Sequence, residues 1–352
     1  MSFVFAEAPL RVYWELTRGC DLACRHCRAE AMPWRDPEEL TTAEAFRLLD
    51  QLTEFGSPPP HVILTGGDPL KRPDFLAIVE HAVGAGLPTS VAPSATGLLT
   101  RGKILALKAA GVQAMSLSLD GSTPARHDGL RGVPGTFART LEAAGDVVES
   151  GIPLQVNTLV TTETFADLPD IHRLVSSVGA ERWSLFFLIS VGRGRLLGQL
   201  TPAECEDLLH WVYDQSRGGR PVITTTEAPH YRRVALQRMK AEGYSGVHPR
   251  ARSLRRGFGI RDGNGIMFIS HTGEIHPSGF LPLAIGNVRR QRPVDVYRDE
   301  ALFRALRLPE YFDGKCGRCE FRAICGGSRA RAYAATGDPL GSDPLCAYEP
   351  PA

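Results

Sequence analysis

Two rhythms of apolar and polar positions alternate along the first two thirds of the chain. Short β-rich runs at 10–17, 61–65, 88–92, 114–119, 154–160 and 183–189 read as strands. Between them the apolar period lengthens to that of a helix. Thr41-Thr42-Ala43-Glu44 has the form of a capping box, after which Phe46, Leu49, Leu52 and Phe55 fall on one face. Pro73 marks the first turn of a second helix, with a stripe of Phe75, Ile78, Val79, Ala82 and Val83 closed by Gly84 and Gly86. Further helices are expected near 101–110, 135–150, 166–177 and 202–216.

Strands that alternate with helices pair in parallel through right-handed crossovers, which makes the fold class α/β. Six units are too few for an eight-fold barrel. They fit a partial (β/α)6 TIM-type barrel or an open sheet, and in either case ligands gather at the C-terminal ends of the strands. The period weakens after about Gly218. The expected organisation is a barrel over 8–218, a connecting segment over 219–282 and a small tail over 283–352. Within the connecting segment, the Gly- and Arg-rich stretch 241–262 is a candidate lid.

Composition narrows the class of protein. The 352 residues are 43% hydrophobic and 22% charged, which are globular values, and the net charge is +1. That balance gives no bulk attraction to nucleic acid or to an anionic membrane. No apolar run is long enough to span a bilayer, and the first 16 residues carry Glu7 and Glu15 rather than a basic stretch, unlike a signal peptide. A cytoplasmic protein is expected.

Seven of the eight cysteines form two groups, and Cys205 stands alone on a helical pattern as a core residue. Cys20, Cys24 and Cys27 follow directly on the first strand. Three thiolates at this spacing can hold three corners of a [4Fe–4S] cube and leave one iron open for chemistry. A zinc knuckle completed by His26 is the alternative. Cys316, Cys319, Cys325 and Cys346 offer four thiolates, a closed set for a fully ligated cluster or a structural zinc. The Gly- and Pro-rich tail is too small to pack well without such a staple.

CxxxCxxC after the first strand, with Thr65-Gly66-Gly67-Asp68-Pro69 after the second, resembles the radical S-adenosylmethionine (SAM) superfamily. The resemblance implies that the three cysteines hold a cluster whose open iron is chelated by SAM. It further implies that Gly66, Gly67 and Asp68 lie near the SAM amine. Asp68 stands where the family more often has Glu, and His26 where a larger aromatic is usual. Ser118, in Ser116-Leu117-Ser118-Leu119-Asp120-Gly121, and Asn157 are similarly placed to face SAM, while Ser94 and Thr96 sit where the family contacts ribose. The tail, with Gly326-Gly327 after Cys325, is similar to the SPASM or shorter twitch regions of such enzymes. That likeness implies one auxiliary [4Fe–4S] cluster, because Ser278 replaces the further upstream cysteine. Cys325–Tyr333, Thr336-Gly337-Asp338-Pro339 and Ile275–Pro282 resemble the subgroup that modifies tetrapyrrole side chains in haem formation.

Arg193, Arg195, His230, Arg232, Arg233, Arg250, Arg252, Arg255, Arg256 and Arg261 follow the last strands, where arginine forks would suit a carboxylate-rich tetrapyrrole; a solvated lid is the alternative. The implied reaction is cleavage of SAM to a 5′-deoxyadenosyl radical, which abstracts hydrogen beside a propionate before loss of carbon dioxide. A flavodoxin or ferredoxin is the expected electron donor. The alternatives are a SPASM-type maturase acting on a small peptide and, in a different class, a non-catalytic zinc-stapled binding module.

Overall fold

The computed structural model describes residues 4–244 and 257–351. Its sheet begins with β1 (Arg11–Glu15), β2 (His61–Thr65), β3 (Thr89–Val91) and β4 (Ala114–Ser118), followed by β5 (Leu154–Val160), β6 (Arg182–Phe187) and β7 (Val222–Thr226). These seven strands lie side by side in sequence order, all parallel. The intervening helices are α1 (Thr42–Thr53), α2 (Phe75–Gly84), α3 (Arg101–Ala109), α4 (Pro124–Arg131), α5 (Thr136–Glu149), α6 (Leu168–Ser177) and α7 (Pro202–Gln215), with α8 (Tyr231–Ala241) after β7. This is the partial barrel expected, with all six predicted strand–helix units present. On its other edge β1 pairs in parallel with β8 (Ile266–Ile269), which continues through antiparallel β9 (Glu274–His276) and β10 (Gly286–Asn287).

Three local expectations are corrected. A seventh strand and a helix follow Gly218, where the periodicity fades; Val222–Thr226 is rich in β-branched residues but has polar threonines on the barrel side, which hides the alternation. The short helix α4 was not foreseen, because only His127 and Leu130 of its eight residues are buried. Its punctuation is nonetheless complete: the Thr123 hydroxyl caps Arg126 N–H, Pro124 opens the helix, and Gly132 closes it at φ 73°. Helix α2 begins at Phe75, two residues after Pro73. The candidate lid falls mostly on 245–256, outside the described residues.

The parallel register sorts side chains into two shells. Val12, Trp14, Val62, Leu64, Met115, Leu117, Trp183 and Leu185 point outward and pack against the helices, including Leu48, Leu49 and Leu52 of α1. Many inward positions near the C-terminal strand ends are polar. Ser118, Asn157, Ser184 and Thr224 are paired in one row across β4 to β7. Burying the outer set drives closure of the sheet, while the inner row leaves a hydrogen-bonding wall for a ligand. The tail adds α9 (Pro293–Asp299), α10 (Ala301–Arg307), α11 (Gly314–Arg318) and α12 (Arg329–Thr336). It is fastened to the start of the chain by the buried Tyr297, whose hydroxyl donates to Phe5 O at 2.8 Å and accepts from Gly265 N at 3.1 Å.

Candidate functional site

The first cysteine group occupies the loop that leaves the C-terminal end of β1. Its backbone is tied on three sides. Cys20 N–H donates to Met32 O at 2.7 Å, Ala23 and Arg25 N–H donate to Arg131 O and Leu130 O at the end of α4, and Cys27 O accepts from Arg193 N–H at 3.1 Å. Cys20 and Cys24 are buried and Cys27 half-buried. Each sulfur lies at the end of an N–H: Leu22 N–H to Cys20 Sγ at 3.4 Å, Ala31 N–H to Cys27 Sγ at 3.3 Å, and Arg131 Nη1 to Cys24 Sγ at 3.7 Å. Burial pushes the Cys20 thiol up to about 11 and raises Cys24 as well, so these groups resist ionising alone. Two buried sulfurs and one half-buried, each met by a donor, fit a cationic iron cluster core, which supplies the missing positive charge.

Gly66, Gly67, Asp68 and Ser94 converge on Cys20. The glycines are required by the protein's own backbone: Gly66 has φ 147°, and a Cβ there would stand 2.5 Å from Thr17 O. At Gly67 a Cβ would meet Gly19 O at the same 2.5 Å. The amides of Gly67 and Asp68 are spent on those two carbonyls, each at 2.8 Å. What the bare glycines demonstrably admit is therefore the strand leading to Cys20. Asp68 is fully buried; its carboxylate accepts from Leu70 N–H and from the Thr96 hydroxyl at 2.9 Å, and burial raises its pKa. The Ser94 hydroxyl donates to Gly67 O at 2.9 Å and lies 3.6 Å from Cys20 Sγ. Ser118 and Asn157 are brought together by register on the inner wall, where Asn157 Oδ1 accepts from Gln155 Nε2 at 2.8 Å. Among the described residues no hydrogen bond joins this pair to the cysteine loop.

Sequence reasoning missed the support on the other side. Asp120, just past β4, is 2% exposed and ion-paired with Arg131 at the end of α4. Burial would raise Asp120, but Arg131 beside it holds it below the usual carboxylate value. Gly132 then passes so close to the loop that a Cβ would lie 2.6 Å from Ala23 O. An Asp-Gly at a strand end and an Arg-Gly at a helix end were the available signals. A second brace lies under Arg28. Its guanidinium pairs with Glu15 and stacks 4.6 Å above the Phe268 ring. Glu15 also meets His271 Nδ1 at 2.9 Å, and His271 Nε2 meets Asp36 at 3.3 Å. Burial opposes ionisation of Glu15, yet Arg28 and His271 bring it down to about 2.

Cys316, Cys319, Cys325 and Cys346 line one cavity together with His230, Arg233 and Tyr348. Burial pushes Cys325 up to about 12 and raises Cys319 and Cys346. Backbone donors again meet sulfur: Gly327 N–H to Cys325 and Asp343 N–H to Cys316, both at 3.4 Å. Gly327, at φ 67°, passes where a Cβ would sit 3.1 Å from Cys316 Sγ. Four convergent thiols with these donors fit a closed cluster by the same reasoning.

The arginine set expected to face a substrate is divided. Arg232 donates to Ile324 O at 3.1 Å, Arg233 forks onto Glu206 of α7 while lying 4.9 Å from the Tyr348 ring centre, and Arg261 donates to the carbonyls of Gly259, Leu306 and Arg307, so each of the three contacts the tail. Burial lowers Arg232 to about 10 and Arg261 to about 9. His230 faces the tail cavity with its Nε2 3.2 Å from the buried Cys205. Arg195 is exposed, and Arg250, Arg252, Arg255 and Arg256 lie outside the described residues. Among the described residues of the set, Arg193 stands beside the cysteine loop.

Among the described residues no helix is long and apolar enough to cross a membrane. The family model for the radical SAM superfamily matches residues 14–175. A protein of Oleidesulfovibrio alaskensis named AdoMet-dependent heme synthase is 40% identical over 341 residues, covering 96% of this chain and 87% of its own length. A protein of the same name from Methanosarcina barkeri is 39% identical over 347 residues, covering 98% of both chains. The structure of Streptococcus suis SuiB bound to S-adenosylmethionine shares the fold, with a TM-score of 0.74 at 19% identity over 97% of this chain and 78% of SuiB. Likeness to the first two proteins runs from the cysteine loop through the tail, so the chain belongs to the radical SAM superfamily, whose enzymes work with a [4Fe–4S] cluster and SAM.

Proposed function

We propose that this enzyme oxidatively decarboxylates propionate side chains of an iron tetrapyrrole, completing a haem. The observation that carries the reading is the extent of its likeness to two AdoMet-dependent heme synthases, which includes the tail as well as the barrel. When bound, a cluster and SAM supply a 5′-deoxyadenosyl radical that takes a hydrogen atom from the substrate, and a second cluster supplies an outlet for the surplus electron.

In this reading Cys20, Cys24 and Cys27 hold the first cluster, and Cys316, Cys319, Cys325 and Cys346 the second. Asp68 and Ser94 fix the β2 and β3 ends against Cys20, which sets the position of the loop relative to the barrel wall. Gly66, Gly67, Ser94, Ser118 and Asn157 form the wall on which SAM lies, with the last two offering hydrogen bonds from the inner row. A small one-electron donor such as flavodoxin or ferredoxin completes the system.

The test is anaerobic turnover of the reconstituted protein with SAM, a reductant and an iron porphyrin carrying four propionates. Vinyl products formed together with 5′-deoxyadenosine support the proposal. Release of 5′-deoxyadenosine while the porphyrin stays intact sinks it. The cysteine assignment is checked separately by iron content: a Cys20/Cys24/Cys27→Ala triple variant should fall from about eight irons to about four.

A further inference from the structure

Arg193 lies in the short turn Gly192–Leu196 that follows β6. Its backbone is pressed against the cysteine loop. Gly192 has φ 52°, and a Cβ there would stand 2.6 Å from both Cys27 O and Arg28 O. The Arg193 amide itself donates to Cys27 O at 3.1 Å. The position of Arg193 is therefore set by the third cysteine of the loop.

Its side chain is unlike the other arginines nearby. Arg131 has Asp120 and Cys24, Arg28 has Glu15, Arg25 has Glu163, and Arg18 donates to Glu30 O. The Nε and Nη2 atoms of Arg193 are buried and have no hydrogen-bond partner among the described residues. These two atoms make up the side-on edge of a guanidinium, whose parallel N–H bonds match the two oxygens of a carboxylate. Buried N–H groups left without an acceptor are costly and need a ligand to justify them. His26, within electrostatic reach, also keeps a buried, unpartnered Nδ1, so the polar surface here extends beyond one side chain.

We propose that Arg193 is the carboxylate-binding residue of the active site, gripping through Nε and Nη2 either the carboxylate of SAM or a propionate of the substrate. The substrate arm rests on the tetrapyrrole reading above, whereas the SAM arm rests only on membership of the family.

The experiment uses the full reconstituted chain and measures binding rather than turnover. In the first arm the affinities for SAM and for decarboxylated SAM are compared in wild type, Arg193→Gln and Arg193→Lys. In the second, the comparison is between the four-propionate iron porphyrin and its methyl ester, followed by the shift of the porphyrin absorption band. Wild type should prefer the carboxylate form by on the order of 10- to 100-fold in one arm. Arg193→Gln should reduce that preference by at least about 10-fold, leaving in the SAM arm only what the open iron contributes, and Arg193→Lys should reduce it nearly as much, since an ammonium cannot fork. The arm in which the preference falls identifies the source of the carboxylate. Preference retained in both arms overturns the proposal. So does loss of iron from both variants, which would make Arg193 a structural part of the cysteine loop. Failure of wild type to bind the porphyrin sinks the tetrapyrrole reading instead and leaves the SAM arm to decide on Arg193.

Discussion

At the scale of single residues, the cysteine loop depends on an ion pair that holds it from behind. Arg131 neutralises Asp120 and reaches Cys24 Sγ, with little water near either group. Arg131→Ala should therefore destabilise the protein by about 3–5 kcal/mol, because it leaves the Asp120 carboxylate buried and alone. Denaturant unfolding of the protein checks this, and a loss below about 1 kcal/mol would mean that water reaches the pair. What could be read at this scale followed chain distance. Cys20, Cys24 and Cys27 are neighbours in sequence, and Gly66-Gly67 is a local signal, so both were legible. Asp120 and Arg131 meet only because α4 turns the chain back. The misreading of Arg232 and Arg261 has a related cause: their partners are carbonyls of Ile324, Gly259, Leu306 and Arg307, which any residue carries.

At the scale of elements, legibility tracked how much apolar surface each one buries. Helix α5, expected over 135–150, aligns Ala143, Ala144 and Val147 against the sheet; α4 buries too little to show such a stripe. Strand β7 has the same difficulty in β form, since Thr224 and Thr226 face the barrel interior and Thr225 the helices, so polar residues fall on both sides. Within α5, Gly145 is a weak point that packing does not require, as a Cβ there would meet nothing within 4 Å. Gly145→Ala should raise stability by roughly 1 kcal/mol through helix propensity alone. Thermal unfolding is the check, and an unchanged or lower midpoint would show that the position has another duty.

At the scale of the whole molecule, contacts between distant segments bring the tail half of the chain onto β1. The Glu15–His271–Asp36 arrangement joins residues 256 positions apart. Burial opposes charge on His271, but Glu15 and Asp36 raise its pKa above the ordinary histidine value, while Glu15 sits at about 2 and stays charged. The stabilisation is thus present in full below about pH 6.5 and is lost as pH rises through the raised value. The midpoint difference between wild type and His271→Gln should shrink from about pH 6 to about pH 9. A gap that widened would assign the wrong charge state to His271.

The pairing of β8 with β1 also bears on how the protein is made. The first strand of this sheet in chain order is an interior strand of the finished sheet, and one of its two edges waits for Ile266–Ile269. For most of synthesis the nascent barrel carries an open strand edge next to three exposed thiols, a combination that invites wrong pairing and oxidation. Long-range pairing of this kind is slow to form. A truncated chain ending near Gly218 would keep that edge permanently. The flank of the cysteine loop is thus completed only when the later strands arrive.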